Sequence, residues 1–101
     1  MVWPRPLIRR NLASMASIEV VYVAATAPAH GTGQAQAACP AGKLLTGGGF
    51  DLGSLPYSRR MHVRRSRDYN DGTVDYWQVI VENENDTDYS FAAIAYCLAQ
   101  P

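Results

Sequence analysis

The sequence of 101 residues has no surplus of charge, because nine lysines and arginines balance nine aspartates and glutamates. This balance excludes a strong field that would draw the whole molecule to nucleic acid or to a membrane surface. The sequence also lacks an apolar run long enough to cross a membrane, and no segment repeats apolar residues at helical spacing. A chain this short supports one domain with one core, which excludes a cofactor domain joined to a substrate domain.

Short β-branched or alternating segments, separated by turn-forming residues, are present instead. We expect six strands, at Ile18 to Thr26, Gln34 to Cys39, Lys43 to Thr46, Met61 to Ser66, Thr73 to Asn83 and Tyr89 to Leu98. The stretch from Ala29 to Gly33 and the segment from Asp51 to Arg60 are expected to be loops. The pattern predicts an all-β protein, a small antiparallel β-sandwich or barrel of about six strands.

Some residues also indicate how these strands are arranged. The dipeptide Asp71-Gly72 predicts a hairpin. The run from Gly47 to Gly49 indicates a bulge or a close approach of backbones. In the fifth strand, the face that carries Trp77 is expected to point into the core. The last strand is apolar on both faces, so we predict that it is the central strand of a sheet.

The first 17 residues differ in composition from the rest of the chain. We predict an extended N-terminal arm over residues 1–17 and a β-sandwich module over residues 18–101. A secretory signal is disfavoured, because Glu19 would lie inside its apolar segment and the neighbouring β-branched residues favour a strand. The arm would need a surface to lie on, either another subunit or its own domain. Its candidate partner-binding residues are Trp3, Arg5, Arg9 and Arg10.

The chain has two cysteines, Cys39 and Cys97, and their spacing matches no local metal site. A disulfide between them suits a small β module, and two buried free thiols are the alternative. A disulfide would indicate an oxidising final location.

Four segments together form a pattern: Cys39 to Lys43 (CPAGK), Gly47 to Phe50, Trp77 to Val79 with Asn83, and Ala95 to Cys97. Over Ile18 to Leu98 the chain resembles a small disulfide-crosslinked β module of bacterial secreted and surface proteins and of phage tail-fibre proteins. The resemblance implies a bridge between Cys39 and Cys97, a tight turn at Gly47 to Gly49 and a packed Trp77. It also implies a non-enzymatic appendage or binding unit. The arm and an arginine-rich segment lie outside the pattern.

The arginine-rich segment is a second candidate for partner binding. It contains Arg59, Arg60, Arg64, Arg65 and Arg67, with His62 among them. Arginine in such a cluster can contact phosphate, an acidic glycan or an acidic neighbouring subunit. The alternative is a solvated edge strand whose charge is balanced by Glu82, Glu84, Asp86 and Asp88. Because the whole chain is not basic, the solvated edge strand or a protein interface is favoured over nucleic-acid binding.

No catalytic residues, metal site or cofactor are expected. The sequence contains no nucleophile-elbow, phosphate-loop or dinucleotide motif. His30 and His62 have no second ligand at a metal-binding spacing. The segment from Asn83 to Asp88 lacks the glycine and the terminal glutamate of a calcium loop, and we expect a hairpin turn there.

These observations favour a non-enzymatic structural accessory protein of a large extracellular assembly. The expected type is a decoration or tail-associated protein of a phage virion, anchored by its arm. Its partners would be protein subunits of that assembly, including other copies of itself, and neither a membrane nor nucleic acid is expected. The alternative is a secreted bacterial surface or glycan-binding module. In that case one or more of four aromatic residues would stack on sugar rings: Tyr57, Tyr69, Tyr76 or Trp77.

Overall fold

The computed structural model describes residues 18–53 and 60–99, which form two antiparallel three-stranded sheets. The strands are β1 (Glu19–Ala27), β2 (Gly31–Ala38), β3 (Lys43–Asp51), β4 (Met61–Asn70), β5 (Asp75–Asn83) and β6 (Tyr89–Ala99). One sheet has the order β1-β6-β3 and the other β2-β5-β4. The predicted all-β sandwich of six strands is confirmed, and so is the central position of the last strand. The predicted arm over residues 1–17 lies outside the described residues.

Four of the five connections join strands that belong to different sheets. The fifth connection joins β4 and β5, which form the predicted hairpin. Asp71 Oδ1 accepts hydrogen bonds from the backbone N–H groups of Thr73 and Val74, at 2.9 and 2.8 Å. Gly72 adopts a φ of 102°, which favours glycine. The backbone hydrogen bonds hold the pKa of Asp71 below its usual value. Because this turn includes Thr73 and Val74, β5 begins at Asp75 rather than at the predicted Thr73.

Strand β2 begins at Gly31, in the stretch that was predicted to be a loop. The prediction was wrong because glycine serves here for close packing and not only for turning. A Cβ atom on Gly33 would lie 2.8 Å from the ring of Phe91 and 2.8 Å from the carbonyl oxygen of Thr26. The glycine therefore lets β2 approach the other sheet closely.

The core between the sheets is built mainly from small side chains. Its fully or nearly fully buried members include Ala27, Ala35, Ala37, Val79, Val81, Phe91, Ala93 and Ala95. Trp77 is half-buried and packs against this cluster, on the same face as Val79 and Val81. The predicted inward face of the fifth strand is therefore confirmed.

The glycine run does not form the tight turn that the resemblance implied, because Gly47 to Gly49 continue strand β3. The pairing of β3 with β6 shifts between Leu45 and Gly47, so the predicted bulge is present. The predicted close approach is present as well: a Cβ atom on Gly48 would overlap the indole ring of Trp77 and the carbonyl oxygen of Ile94. Gly48 is thus the position that lets Trp77 pack closely against β3.

The two ends of the sandwich are closed by different bonds. At one end, the Cys39–Cys97 disulfide joins the residue after β2 to the central strand of the other sheet. At the other end, the buried amide of Asn83 donates to the carbonyl oxygens of Ala27 and Thr87, at 3.0 and 2.9 Å. The segment after Asn83 is an arch between the central strands β5 and β6, and not the predicted hairpin, because these strands belong to different sheets.

Substitution of Gly48 by alanine should destabilise the fold by about 3 kcal/mol, because the new methyl group has no space beside Trp77. In the matched variant Gly49→Ala, the new methyl group meets no atom within 4 Å. This change should leave the free energy of unfolding unchanged or raise it slightly. Urea unfolding followed by Trp fluorescence measures both effects. Equal midpoints for the two variants would contradict the packing of Trp77 under Gly48.

Removal of the disulfide by the double change Cys39→Ala and Cys97→Ala should lower the free energy of unfolding by about 4 kcal/mol in the chain-entropy model. The cause is the long loop that the bond closes, with a sequence separation of 58 residues. Thermal unfolding of the variant and of the oxidised and reduced wild-type protein measures this loss. Equal melting temperatures in oxidised and reduced protein would contradict it.

Candidate interaction surface

Three residues of the predicted arginine cluster, Arg64, Arg65 and Arg67, lie on strand β4, at an edge of the β2-β5-β4 sheet, and Arg60 is exposed directly before this strand. The pairing of β4 with β5 shifts between Val63 and Arg65. This bulge places the consecutive residues Arg64 and Arg65 on the same outward face, where they bond to Glu82 and Gln78 of β5. Arg59, like the arm residues Trp3, Arg5, Arg9 and Arg10, lies outside the described residues.

Part of this positive charge is neutralised within the sheet. Arg64 Nη2 lies 2.8 Å from Glu82 Oε2, and this hydrogen bond holds the pKa of Glu82 below its usual value. The imidazole of His62 lies 3.1 Å from Glu84. Asp86 does not balance β4, because it pairs with His30 at 2.8 Å. The expectation of an edge strand balanced by acidic residues thus holds for the pair of Arg64 and Glu82.

Two arginines keep charge available on the outward face of this sheet. Arg65 donates to the amide oxygen of Gln78 at 3.1 Å, and Arg67 donates to the backbone oxygen of Asp68 at 3.2 Å. Within residues 18–53 and 60–99, neither has a carboxylate within ion-pair distance. We call this surface, with Arg64, Arg65, Arg67, Gln36 and Gln78, the arginine face.

Among the described residues, the aromatic candidates for stacking on sugars are not gathered on one exposed platform. Trp77 faces the core, and its indole N–H donates to the hydroxyl of Ser66 at 2.9 Å. Tyr69 and Tyr76 pack against each other, with ring centroids 5.4 Å apart. Tyr76 is buried, and Tyr57 lies outside the described residues. Among the three described candidates, Tyr69 is therefore the one with an exposed ring.

The outward face of the β1-β6-β3 sheet is apolar, and the sequence predictions did not identify it. We call it the apolar face. Large side chains on it are exposed by 55% at Val20, 57% at Tyr22, 50% at Leu44 and 41% at Tyr96. Ile94 and Leu98 lie between them on the central strand β6. The last strand is apolar on both of its faces. This pattern was used to predict a central strand, but the residues of its outward face also form part of the apolar face.

The strand register orders the apolar face into rungs across three strands. Tyr96 of β6 lies between Val20 of β1 and Gly47 of β3. On the next rung, Ile94 lies between Tyr22 and Gly49. Leu98 pairs with Leu44 on a rung at one end, and Ala92 lies between Ala24 and Asp51 on a fourth rung at the other end. Three strands about 4.8 Å apart and four rungs about 6.8 Å apart give the face an area of about 400 Å².

A polar contact closes one end of the apolar face. The hydroxyl of Tyr22 donates to Asp51 Oδ2 at 2.9 Å, across the central strand. The backbone N–H of Gly53 donates to the other oxygen of Asp51 at 2.8 Å. These two bonds, the Gly53 bond first, hold the pKa of Asp51 below its usual value. The same contact with Asp51 raises the pKa of Tyr22.

Among the described residues, no three His, Cys, Asp or Glu side chains are grouped so that they could hold a metal ion. That part of the chain also contains no helix long and apolar enough to cross a membrane. No family model, curated protein or solved structure matches the chain.

The change Tyr22→Phe should raise the pKa of Asp51 toward its ordinary value, because it removes one of the two donors to the carboxylate. A carboxyl group whose pKa is lowered in the folded state stabilises the fold at pH values above its ordinary pKa. This stabilisation is lost as the pH falls through the lowered pKa. In the variant this stabilisation should therefore be smaller, and its loss should be complete at a higher pH.

An NMR titration of the Asp51 side chain measures this pKa directly. Tyr96→Phe is the matched control, because Tyr96 lies on the same face and makes no contact with Asp51. Identical titration of Asp51 in the wild-type protein and in Tyr22→Phe would contradict the hydrogen bond.

Proposed function

We propose that this protein is a non-enzymatic structural accessory protein of a large extracellular assembly, of the decoration or tail-associated kind carried by phage virions. The observation that supports it most is the apolar face of about 400 Å² on a disulfide-crosslinked sandwich. The largest contiguous apolar patch of a soluble monomer is typically of about this size, and such a patch is often functional. The partner proposed for this face is a protein subunit of the assembly.

The rest of the molecule suits a rigid attached module. The disulfide holds the two sheets together at one end, and Asn83 bonds the arch to β1 at the other. Disulfides persist in oxidising surroundings, which supports an extracellular or virion location. Residues 1–17 and the arginine face are proposed as further contacts; for residues 1–17, the support is their composition alone.

Cross-linking in the native source material tests the proposal. A photo-reactive amino acid in place of Tyr96 should cross-link the protein to subunits of a larger assembly, because Tyr96 lies at the centre of the apolar face. The same amino acid in place of Val74, which is exposed in the turn between β4 and β5 and lies on neither named face, is the matched control. Recovery of the protein free in solution, with cross-links confined to its own chain, would overturn the proposal.

A glycan-binding module is the second candidate, and one rung of the arginine face favours it. Gln36, Gln78 and Arg67 lie side by side across the three strands of the β2-β5-β4 sheet. Gln78 is buried and bonded to Arg65, but the exposed amide of Gln36 and the exposed guanidinium of Arg67 suit the hydroxyl and carboxylate groups of acidic sugars. A glycan array distinguishes the candidates: binding that is lost in Arg67→Gln and retained in Tyr96→Arg would favour the glycan module.

A further inference from the structure

The ring of Tyr22 is held over the central strand of the apolar face. Its hydroxyl bonds to Asp51, and these two residues lie on β1 and β3, with β6 between them. Strands in a sheet lie about 4.8 Å apart, so the side chain must lean across β6 instead of standing away from the sheet. Ala92 of β6 agrees with this position, because it lies outside the core cluster and is nevertheless 1% exposed. Tyr22 itself stays largely exposed, so its ring presents an open side to solvent.

The carboxylate of Asp51 is a negative charge on an otherwise uncharged surface. Asp51 is the one charged residue on the described rungs of the apolar face. Among the described residues, no lysine, arginine or histidine lies within ion-pair distance of it. The hydroxyl of Tyr22 and the backbone N–H of Gly53 each occupy one lone pair, and a carboxylate offers about four. Asp51 can therefore accept further bonds from a cation.

A small cavity opens beside the ring and the carboxylate. Its volume is about 190 Å³. Small-molecule sites usually enclose roughly 300–1,000 Å³, so this cavity suits the end of one side chain better than a cofactor. The residues that line it are Tyr22, Ala24, Asp51, Gly53, Ser90 and Phe91. The hydroxyl of Ser90 supplies a further hydrogen-bond acceptor next to the carboxylate.

We infer that this cavity binds the guanidinium group of an arginine from a partner subunit, stacked on Tyr22 and paired with Asp51. The inference rests on the proposed function, because it names the chemistry with which a subunit meets the apolar face. A guanidinium group is planar, stacks on aromatic rings and donates parallel N–H bonds to a carboxylate. The ammonium group of lysine is a strongly hydrated point charge and matches the ring less well.

Charge decides between the possible occupants of the cavity. An acidic group would be repelled by Asp51, so carboxylated sugars suit the arginine face and not this one. A neutral side chain would cover the carboxylate without pairing with it, and burial of an unpaired charge is costly. A subunit that covers the whole apolar face must therefore bring a cation to Asp51.

The rungs also define the shape of the partner segment. Successive rungs are about 6.8 Å apart, which is the spacing of alternate residues in an extended strand. A segment laid along β6 could place its arginine over the rung of Asp51 and apolar side chains over the rungs of Gly49 and Gly47. Glycine leaves open space on those two rungs. An arginine separated by single residues from two apolar residues has the required spacing.

Two acetylated and amidated peptides test the inference: Leu-Gly-Leu-Gly-Arg and the same peptide with citrulline in place of arginine. Citrulline has nearly the shape of arginine but no charge. NMR titration of the full oxidised chain should show shifts of the Tyr22 ring and the Gly53 amide. We expect a dissociation constant below about 10 mM for the arginine peptide. The citrulline peptide should bind about 5- to 30-fold more weakly.

The change Asp51→Asn should abolish the preference for the arginine peptide, because it removes the charge and keeps an acceptor for Tyr22. Asp68→Asn is the matched control: it removes an exposed carboxylate from β4 of the other sheet, and the preference should persist. Thermal unfolding shows whether both variants are folded.

Equal binding of the two peptides to the wild-type protein would overturn the inference, and so would a preference that survives Asp51→Asn. A peptide with lysine in place of arginine that binds as tightly would overturn the choice of arginine. NMR contacts between Asp51 and Arg59, or an arginine of residues 1–17, in the free protein would also overturn it, because the chain itself would then fill the cavity.

The two proposals fail separately. If Tyr96 cross-links to a subunit of the native assembly while the protein does not distinguish the two peptides, the guanidinium site is wrong and the proposed function stands. If the preference for arginine depends on Asp51 but the native protein contacts no assembly, the proposed function is wrong and the guanidinium site stands.

Discussion

The short distance between the two sheets is the constraint on which the rest of this fold depends. Alanine dominates the inward positions, and the largest fully buried side chains are Val79, Val81, Asn83 and Cys97. Gly33 and Gly48 remove side chains where Phe91 and Trp77 must fit. A core of this kind buries little apolar area per residue. The disulfide and the buried amide of Asn83 therefore contribute a large share of what holds the sheets together.

A thin sandwich leaves both sheets with an outward face, and here the two faces differ in chemistry. One carries arginines and glutamines on β2, β4 and β5, and the other carries valine, leucine and tyrosine on β1, β3 and β6. Bulges occur in one edge strand of each sheet. In β4 the bulge adds an arginine to the charged face, whereas in β3 it occurs just before the three glycines. The two sides of the module are therefore suited to different contacts.

Alternation and turn residues made the architecture predictable from the sequence. The apolar residues on both faces of the last strand indicated its central position, and Asp71-Gly72 located the hairpin. The glycines were harder to interpret, because a sequence does not tell whether a glycine turns the chain, as Gly72 does, or admits a neighbouring side chain, as Gly33 and Gly48 do. The apolar face was missed because its rungs combine residues from distant segments of the chain. Only the register brings Val20, Tyr96 and Gly47 together.

The register of β1 against β6 also has a mechanical consequence. Glu19, the first residue of β1, lies on the same rung as Cys97. Tension applied to the chain before Glu19 would enter the ladder at its end and peel β1 away one rung at a time, so few hydrogen bonds would resist it at once. Strands β2 and β6 would stay linked by the covalent bond between Cys39 and Cys97. Under such a pull the module would lengthen by releasing β1, while the remaining strands keep their cross-link.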